Sequence, residues 1–361
     1  MVDPQRARPN GKKILGIKEK VAFLRSPVAY PGGAQDVDVK ETHMSWVFLA
    51  GEEVYKLKKP VKYPFLDFST LEGRETDCRL ELDLNRRLAP EIYLGVVPLA
   101  LTDVGELALD SGGEPVDWLV KMRRLPADKM LDKEILSGSV TDQALRSLAT
   151  LLSDFYRNAE TAAITALDYV AHFVREHAEN RKLLTGEFDL PQLTTNLVCE
   201  RMELFLNDEP QLLMTRAQNG RIVDGHGDLR PEHVCLTDPP VIIDCLEFNK
   251  GLRLVDPFDE LSFLGMECER LGSSHIGPTL IQLCGERLGN KPSDRLLAFY
   301  TTYRACLRAR LSLAHLLEPD GREPAKWLPL ARTYLGLAER ASLKLLPQAS
   351  RRSNHLRGSD G

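Results

Sequence analysis

Residues 223–251 read VDGHGDLRPEHVCLTDPPVIIDCLEFNKG and form a non-helical stretch within sequence that is otherwise helical in pattern. Asp228 follows a glycine in the first half of this stretch, and Asp244 ends the apolar run Val241–Ile243 in the second half. The Pro239–Pro240 pair between them is a turn signal. The pattern predicts a β-hairpin with one carboxylate in the loop before its first strand and another directly after its second strand.

Two carboxylates held in this way suit phosphoryl transfer from a nucleotide. In such a reaction one carboxylate orients or deprotonates the attacking hydroxyl, and another holds the metal ion that bridges the phosphates. Each aspartate also has a purely structural alternative. Gly-Asp pairs are common in ordinary turns, and an acid at the end of a strand can simply face solvent.

The sequence before this stretch is rich in β-forming residues. Short runs separated by turn signals follow one another from residue 36, with a tight hairpin predicted at Gly51–Glu53. One helix interrupts them, beginning after a Ser69–Thr70 cap and ending before Pro90. The β-rich runs are DVDVKE (36–41), SWVFLAG (45–51), EVYKLKK (53–59), YLGVVPLALT (93–102) and VDWLVKMRRL (116–125).

From Thr141 onward apolar residues recur at three- and four-residue spacing, which predicts helices. The sequence therefore predicts an α+β fold with two lobes, a small antiparallel β-rich N-terminal lobe and a larger, mainly helical C-terminal lobe. The predicted helices cover 141–157, 166–184, 193–217, 256–271, 292–317 and 324–346. The predicted boundaries are 1–20 for a flexible tail, 21–125 for the N-terminal lobe, 126–348 for the C-terminal lobe and 349–361 for a second flexible tail.

Composition narrows the class of protein. The chain has 361 residues, of which 43% are hydrophobic and 27% charged, and its net charge is −5. These values exclude a disordered chain and disfavour a surface built for nucleic acid. Seven scattered cysteines without a CxxC motif indicate reduced thiols, and no apolar run reaches the roughly 20 residues of a membrane span. We expect a cytoplasmic protein without a membrane segment, whose partner is a small-molecule substrate.

The string HGDLRPEH followed by IID resembles the catalytic and metal-binding loops of the aminoglycoside phosphotransferase and choline kinase family, which has a protein-kinase-like fold. The strings ETHMSWVF, VYKLKKPV, FLDFSTLE, LNRRLAP and IDCLEFN, in this order, are similar to a bacterial group of that family often fused to a P-loop kinase domain. No GxxxxGK[ST] motif occurs, so the resemblance is to a stand-alone form of that group.

The resemblance implies roles for the residues of the loop. Asp228 would be the general base or would orient the hydroxyl, and Arg230 would offset charge on the γ-phosphate, although a solvated arginine is an equal alternative. Asp244 would bind Mg²⁺. His233 takes the place of a metal-binding asparagine, and an imidazole suits Mn²⁺ or softer ions better than Mg²⁺. This substitution is a reason to question activity. Two further residues would support the loop, His226 by packing and Asp259 by accepting its backbone N–H groups.

The nucleotide lobe supplies further candidates. Lys56 and Lys58 share one face of a strand and Lys59 points away. By analogy with the β3 lysine of kinases, Lys56 is the first choice for the ATP phosphates and Lys58 the second. The resemblance favours Glu81 as the partner carboxylate, while spacing alone also allows Glu75.

Two other segments of this lobe would contact the nucleotide. Thr42 and Ser45 occupy the place of a phosphate-covering loop, although ordinary hairpin polarity explains them as well. Lys121–Pro126, which includes Met122 and Arg124, would form the adenine-binding hinge through backbone groups.

The sequence thus predicts an ATP- and Mg²⁺-dependent phosphotransferase, with Mn²⁺ as an alternative metal, that acts on a hydroxyl of a small polar metabolite. A sugar-like acceptor is favoured over an aminoglycoside because the C-terminal region is rich in arginine. Arg304 and Arg308 lie one helical turn apart there and would favour an anionic acceptor if their face lined the cleft. One alternative is a nucleotide-binding pseudokinase that regulates a partner. Another is a Ser/Thr protein kinase, which the absence of DFG and APE motifs disfavours.

Overall fold

The computed structural model describes residues 15–63, 66–317 and 323–346 of the chain. The predicted tail 349–361, and residues 1–14 of the predicted tail 1–20, lie outside the described residues. The helices are α1 Ile17–Leu24, α2 Leu71–Arg86, α3 Leu131–Ser137, α4 Asp142–Asn158, α5 Ala166–Leu184, α6 Gln192–Asp208, α7 Pro210–Gln218, α8 Pro257–Arg270, α9 Ile276–Leu288, α10 Asp294–Leu317 and α11 Pro324–Ser342. The strands are β1 Val37–Glu41, β2 Ser45–Ala50, β3 Glu53–Lys58, β4 Lys62–Tyr63, β5 Leu66–Asp67, β6 Tyr93–Leu101, β7 Leu107–Leu109, β8 Glu114–Arg123, β9 Val223–Asp224, β10 Val234–Cys235, β11 Val241–Ile242 and β12 Leu254–Val255.

The chain divides into two compact units. Unit 1 contains the described residues up to Ala127 together with Val241–Lys250, and unit 2 contains those from Asp128 to Pro240 and from Gly251 onward. Unit 1 carries an antiparallel sheet and unit 2 is mainly helical, which confirms the predicted α+β class. Residues 241–250 were predicted to belong to the C-terminal lobe, but the chain returns to unit 1 for these ten residues.

A six-stranded antiparallel sheet forms the centre of unit 1, in the order β1-β2-β3-β8-β6-β7. The predicted hairpin joins β2 to β3. Ala50 pairs with Glu53, so that Gly51 and Glu52 alone make the turn. Gly51 has φ 61°, a left-handed conformation that costs glycine little and explains its place in this turn.

Helix α2 packs against β8 and β6. It begins at the predicted cap, because the Thr70 hydroxyl accepts a hydrogen bond from the Gly73 N–H at 3.0 Å. Cys78 and Leu82 lie on its buried face, in a cluster with Tyr93 and Val120 of the sheet. This packing fixes the rotation of the helix and therefore the direction in which its polar residues point.

Unit 2 is built around α10, which packs against α5, α8 and α11. Two clusters form its core. One contains Phe263, Leu313 and Tyr334, and the other contains Phe173, Phe205 and Phe299, whose rings include a stacked pair (Phe205 and Phe299) with centroids 4.3 Å apart. None of the helices in the described ranges combines the length and the apolar character that crossing a bilayer requires.

The structure corrects the sequence prediction in three places. Residues 17–20 were assigned to a flexible tail, but they form the first turn of α1, where Lys20 is buried and its Nζ lies 2.7 Å from Asp117 Oδ2. The single helix predicted over 193–217 is two helices, because Pro210 lacks the N–H that would continue α6. Helix α9 occupies a segment for which no helix was predicted.

Candidate functional site

In unit 1, two lysines of β3 meet carboxylates of α2 and of the 241–250 segment. We call Lys56, Lys58, Asp77, Glu81, Asp244 and Glu247 the lysine–carboxylate cluster. Alternate residues of a strand face the same side, and the two lysines of β3 accordingly share Glu81. Glu81 Oε1 lies 2.9 Å from Lys56 Nζ, and its Oε2 lies 2.7 Å from Lys58 Nζ. Lys59 points away, as expected, and pairs with Glu41 at 2.6 Å.

The two lysines of the cluster differ in exposure, and this separates their roles. The side chain of Lys58 is 1% exposed and its Nζ lies 2.5 Å from both Asp77 Oδ2 and Glu247 Oε1. The side chain of Lys56 is 16% exposed, and its Nζ lies 2.8 Å from Asp244 Oδ1. Lys56 is therefore the lysine that can meet a ligand. The alternative nucleotide-binding role predicted for Lys58 is not supported, because its ammonium is enclosed by carboxylates.

Glu81 is the acid that holds both lysines. It is fully buried on α2, whereas Glu75, the other candidate by spacing, bonds to Arg79 on the exposed face of the same helix. Burial alone would raise the pKa of Glu81, but Lys56 and Lys58 outweigh it and lower the pKa below the ordinary value. An ionised Glu81 is thus fixed between two ammonium groups.

The charges of the cluster are unequal, with four carboxylates for two lysines. Burial would lower the pKa of Lys56, but the charges of Asp244 and Glu81 raise it well above the ordinary value. Burial raises the pKa of Glu247 to about 7, and the charge of Lys58 only partly opposes this. Glu247 therefore takes up a proton near neutral pH, which reduces the excess of negative charge.

Asp244 has φ 62°, in the left-handed region, and its side chain is 47% exposed. Two residues hold the backbone here. The Asp244 N–H lies 3.1 Å from the Tyr93 hydroxyl, and the Cys245 N–H donates to Asn85 Oδ1 at 2.8 Å. Both are residues that sequence reasoning missed, since nothing in their spacing connects them to the 241–250 segment. An exposed carboxylate of this kind fits an oxygen ligand of Mg²⁺.

The remaining candidates of unit 1 have local structural partners. Ser45 is buried, and its N–H donates to the Thr42 hydroxyl at 3.0 Å within the turn between β1 and β2. Met122 packs in the cluster under α2. Arg124 Nη1 donates to the Gly51 carbonyl at 3.3 Å. Their predicted contacts with a nucleotide remain predictions.

In unit 2 the loop around Asp228 is held by its own side chains. Arg230 Nε lies 3.0 Å from Asp228 Oδ2, and its two Nη groups reach Glu232 Oε1 at 2.8 Å and His233 Nε2 at 3.2 Å. The other ring nitrogen of His233 lies 2.8 Å from the Asp228 carbonyl. Both nitrogens thus have partners within the loop when Nδ1 carries the proton. The predicted role of His233 as a metal ligand is not supported by these contacts.

The Asp228 carboxylate is ionised at neutral pH. Burial raises its pKa, but the charges of Arg230, His233 and Arg308, in that order of size, outweigh burial and lower the pKa below its ordinary value. His226, the predicted structural residue, is buried and its Nδ1 accepts a weak hydrogen bond from the Asp228 N–H at 3.3 Å. The loop thus presents a charged carboxylate on a braced backbone.

The residue that holds this loop from below is Glu260, not the predicted Asp259. The Glu260 carboxylate accepts the backbone N–H groups of His226, at 3.1 Å, and of Gly227. Asp259 instead forms a buried two-bond pair with Arg304, at 2.8 and 2.6 Å. Successive residues of a helix point about 100° apart. The adjacent acids Asp259 and Glu260 therefore face different directions, and only Glu260 faces the loop. Gly225 explains the close approach, because a Cβ there would lie 2.8 Å from Glu260 Oε2.

The structure therefore brings the predicted residues together in two groups. Lys56, Lys58, Glu81 and Asp244 meet in unit 1, and Asp228, Arg230, His226 and His233 meet in unit 2. Within the described ranges, no group of three or more His, Cys, Asp or Glu residues is arranged to hold a metal ion by itself.

Known proteins resemble this chain in sequence. No family model matches it. An uncharacterized protein of Mycobacterium tuberculosis (strain ATCC 25618 / H37Rv) is 34% identical over 281 residues, covering 76% of this chain and 54% of that protein. An uncharacterized protein of Mycobacterium bovis (strain ATCC BAA-935 / AF2122/97) matches to the same extent. The chain spans about half the length of the curated relatives it matches.

Solved structures resemble it in fold. A choline/ethanolamine kinase family protein from Mesorhizobium loti superposes with a TM-score of 0.54 at 13% identity, covering 92% of this chain and 96% of that one. The apo form of a thermostable mutant of aminoglycoside phosphotransferase APH(4)-Ia gives 0.52 at 12% identity, covering 89% and 98%. The chain thus has the fold of the aminoglycoside phosphotransferase and choline kinase proteins, which confirms the fold that the resemblance implied.

Proposed function

We propose that this protein transfers the γ-phosphate of ATP to a hydroxyl group of a small polar metabolite. The observation that carries the proposal is the Lys56–Glu81 pair, in which a partly exposed lysine is held at 2.9 Å by a buried glutamate and also reaches Asp244 at 2.8 Å. In kinases a lysine paired with a glutamate binds the nucleotide phosphates, and an aspartate holds the metal ion. Lys56, Glu81 and Asp244 match these three residues in type.

The residues of unit 1 would bind the nucleotide. The Lys56 ammonium would exchange its contact with Asp244 for phosphate oxygens while Glu81 keeps it in place. Lys58, enclosed by carboxylates, would keep Glu81 ionised and fixed. Magnesium, with Asp244 as an oxygen ligand, would supply positive charge that offsets the phosphates.

The residues of unit 2 would act on the acceptor. Asp228, ionised at neutral pH, would orient the acceptor hydroxyl and take its proton as the hydroxyl oxygen bonds to the γ-phosphorus. The bond from that phosphorus to the bridging oxygen breaks, and ADP leaves. Arg230 would hold Asp228 in position, because all three of its guanidinium nitrogens are engaged within the loop.

The structural neighbours support this chemistry at the level of fold. One of them is named as a choline/ethanolamine kinase family protein, and another is an APH(4)-Ia mutant in a ternary complex with ADP and hygromycin B. The second has a TM-score of 0.50 to this chain. We extend to this chain only the reaction type, a phosphate transfer to an alcohol.

The experiment is a phosphorylation screen of a metabolite panel with ATP and Mg²⁺, repeated with Mn²⁺, using mass spectrometry to detect the phosphorylated product. We expect Asp228→Asn to reduce the transfer rate at least about 100-fold while the protein remains folded, which circular dichroism checks. Asp208→Asn is the matched control, because Asp208 is an exposed acid at the end of α6. Equal rates for wild type and Asp228→Asn would contradict the proposal.

A second candidate is a nucleotide-binding protein without transfer activity. The engagement of both His233 ring nitrogens within the loop favours it, because an imidazole held in this way contributes nothing to metal binding. ATP would then raise the Tm of wild type and Asp228→Asn equally while neither forms product. Intact-mass measurement of the same samples also detects autophosphorylation, the result expected of a Ser/Thr protein kinase.

A further inference from the structure

Two arginines of unit 2 share a single buried acid next to the Asp228 loop. Glu267 of α8 is fully buried, and its two oxygens lie 2.9 Å from Arg308 Nε and 2.6 Å from Arg270 Nε. The Tyr334 hydroxyl donates to the same carboxylate at 2.8 Å, and the Tyr334 ring lies under both guanidinium groups, 5.3 Å from Arg308 Cζ and 5.8 Å from Arg270 Cζ. We call Glu267, Arg270, Arg308 and Tyr334 the two-arginine cluster.

The cluster has hydrogen-bond donors left over. Arg270 uses only Nε, and Arg308 uses Nε and Nη2, so three Nη groups make no hydrogen bond to any residue within the described ranges. Both side chains are 21% exposed, so part of each reaches solvent. Arg304, one turn before Arg308, differs because its side chain is only 7% exposed and is paired with the buried Asp259. Of the two arginines that sequence reasoning singled out, Arg308 is the one that can meet a ligand.

The two-arginine cluster lies close to the loop that carries Asp228. Helix α8 supplies both Glu260, which holds the loop, and Glu267, and it contacts the turn at residues 231–233. The charge of Arg308 lowers the pKa of Asp228, and the charge of Glu232 raises that of Arg270. Arg230, Arg270 and Arg308 lie here among the acids Asp228, Glu232, Glu260 and Glu267. The excess of positive charge belongs to the two-arginine cluster itself, which has two arginines for one acid.

We propose that the acceptor carries an anionic group, a carboxylate or a phosphate, which Arg270 and Arg308 bind while Asp228 meets its hydroxyl. This inference rests on the proposed phosphotransferase function and names the acceptor class. Guanidinium groups fixed by a shared carboxylate and an aromatic ring are preorganised, and their planar donors match the two oxygens of a carboxylate or phosphate. A polycation would instead meet like charge here, a repulsion that disfavours binding.

The first experiment compares acceptors on shared carbon skeletons. Neutral, amino, carboxylate and phosphate forms of the same sugars and short polyols are offered with ATP, and kcat and KM are measured for each. We expect the anionic forms to have the highest kcat/KM, and the carboxylate and phosphate sets show which anion is preferred. Transfer to neutral or amino forms with equal or higher kcat/KM overturns the acceptor class but leaves the transferase intact. No transfer to any member overturns both.

The second experiment tests the two arginines. Arg308→Gln and Arg270→Gln each remove one charged hydrogen-bond donor, so we expect KM for the preferred anionic acceptor to rise about 10- to 100-fold. KM for its neutral analogue and for ATP should not change. Arg340→Gln is the matched control, because Arg340 pairs with Glu269 on an exposed part of α11. Equal losses for anionic and neutral acceptors would show a merely structural role and overturn the proposal.

The salt dependence of KM tests the same proposal on the wild type, without any variant that could fail to fold. Salt screens an interaction between a guanidinium and an anion. Raising NaCl from 50 to 300 mM shortens the Debye length by roughly half. Over this range KM for the anionic acceptor should rise, while KM for its neutral analogue stays constant. Identical salt dependence for the two acceptors contradicts the proposal.

Discussion

The lysine–carboxylate cluster of unit 1 and the two-arginine cluster of unit 2 are charged in opposite senses. The lysine–carboxylate cluster has four acids for two lysines and is mostly buried, whereas the two-arginine cluster has two arginines for one acid and is partly exposed. An excess of buried carboxylates attracts cations, and partly exposed arginines attract anions. This difference supports the proposals of a nucleotide bound by unit 1 and an anionic acceptor bound by unit 2.

The largest effect is expected from Lys58→Met in unit 1. Removing this buried ammonium leaves Asp77, Glu81 and Glu247 without their shared cation, so the free energy of unfolding should fall by about 3–5 kcal/mol. Lys56→Met, at a partly exposed position, should cost about 1 kcal/mol and abolish ATP binding. Denaturant unfolding and calorimetric titration with ATP measure the two quantities. Equal stability losses for both variants would show that the lysines are not divided into a structural and a ligand-binding one.

The corresponding change in unit 2 is Glu260→Gln. An amide keeps one acceptor oxygen but loses the second and the charge, so the loss of unfolding free energy should be about 1–3 kcal/mol. The Asp228 loop should also become more mobile, which hydrogen exchange at the N–H groups of His226 and Gly227 would detect. Glu286→Gln, on the exposed face of α9, is the control. Unchanged exchange at both amides would mean that Glu260 does not hold the loop.

The pH dependence of the unfolding free energy should reveal the buried Glu247 of unit 1. The pKa of Glu247 is raised from 4.5 to about 7 in the folded protein. The native state then binds more protons than the unfolded state between these values, so the unfolding free energy falls as pH rises from about 4.5 to about 7. Glu247→Gln should remove most of this dependence, about 3 kcal/mol over the window. Parallel curves for wild type and variant over this window would contradict the raised pKa.

The smallest effects come from a matched pair of helix caps. Thr70 caps α2 of unit 1, and Thr141 caps α4 of unit 2 by accepting the Ala144 N–H at 3.2 Å. Each Thr→Ala change should lower the unfolding free energy by about 1 kcal/mol. Because α2 carries Glu81, only Thr70→Ala should also raise the Kd for ATP. A similar rise for Thr141→Ala would remove the link between α2 and nucleotide binding.

Local rules were sufficient to predict much of unit 1. The alternation of a strand placed Lys56 and Lys58 on one face, and the turn at Gly51 and the cap at Thr70 follow from short-range chemistry. The resemblance to a known family, rather than spacing, selected Glu81 over Glu75. The strings that matched this family span both units, which is why the fold was predictable from sequence.

What sequence reasoning missed depends on long-range packing. Asp259 and Glu260 are neighbours in sequence, and only the rotation of α8 against the loop shows that Glu260 accepts the backbone N–H groups. Lys58 could not be recognised as buried until Glu247, 189 positions away, was seen to contact it. Arg304 and Arg308 share a helix face, but they pair with different buried acids. The sequence does not show that Arg304 pairs with Asp259 and Arg308 with Glu267.

The backbone conformation at Asp244 has a consequence for which substitutions the protein can accept. A left-handed φ is unfavourable for most residues with a side chain, and glycine, asparagine and aspartate adopt it most readily. The backbone at this position thus admits three residue types, and aspartate is the one of them that brings a negative charge.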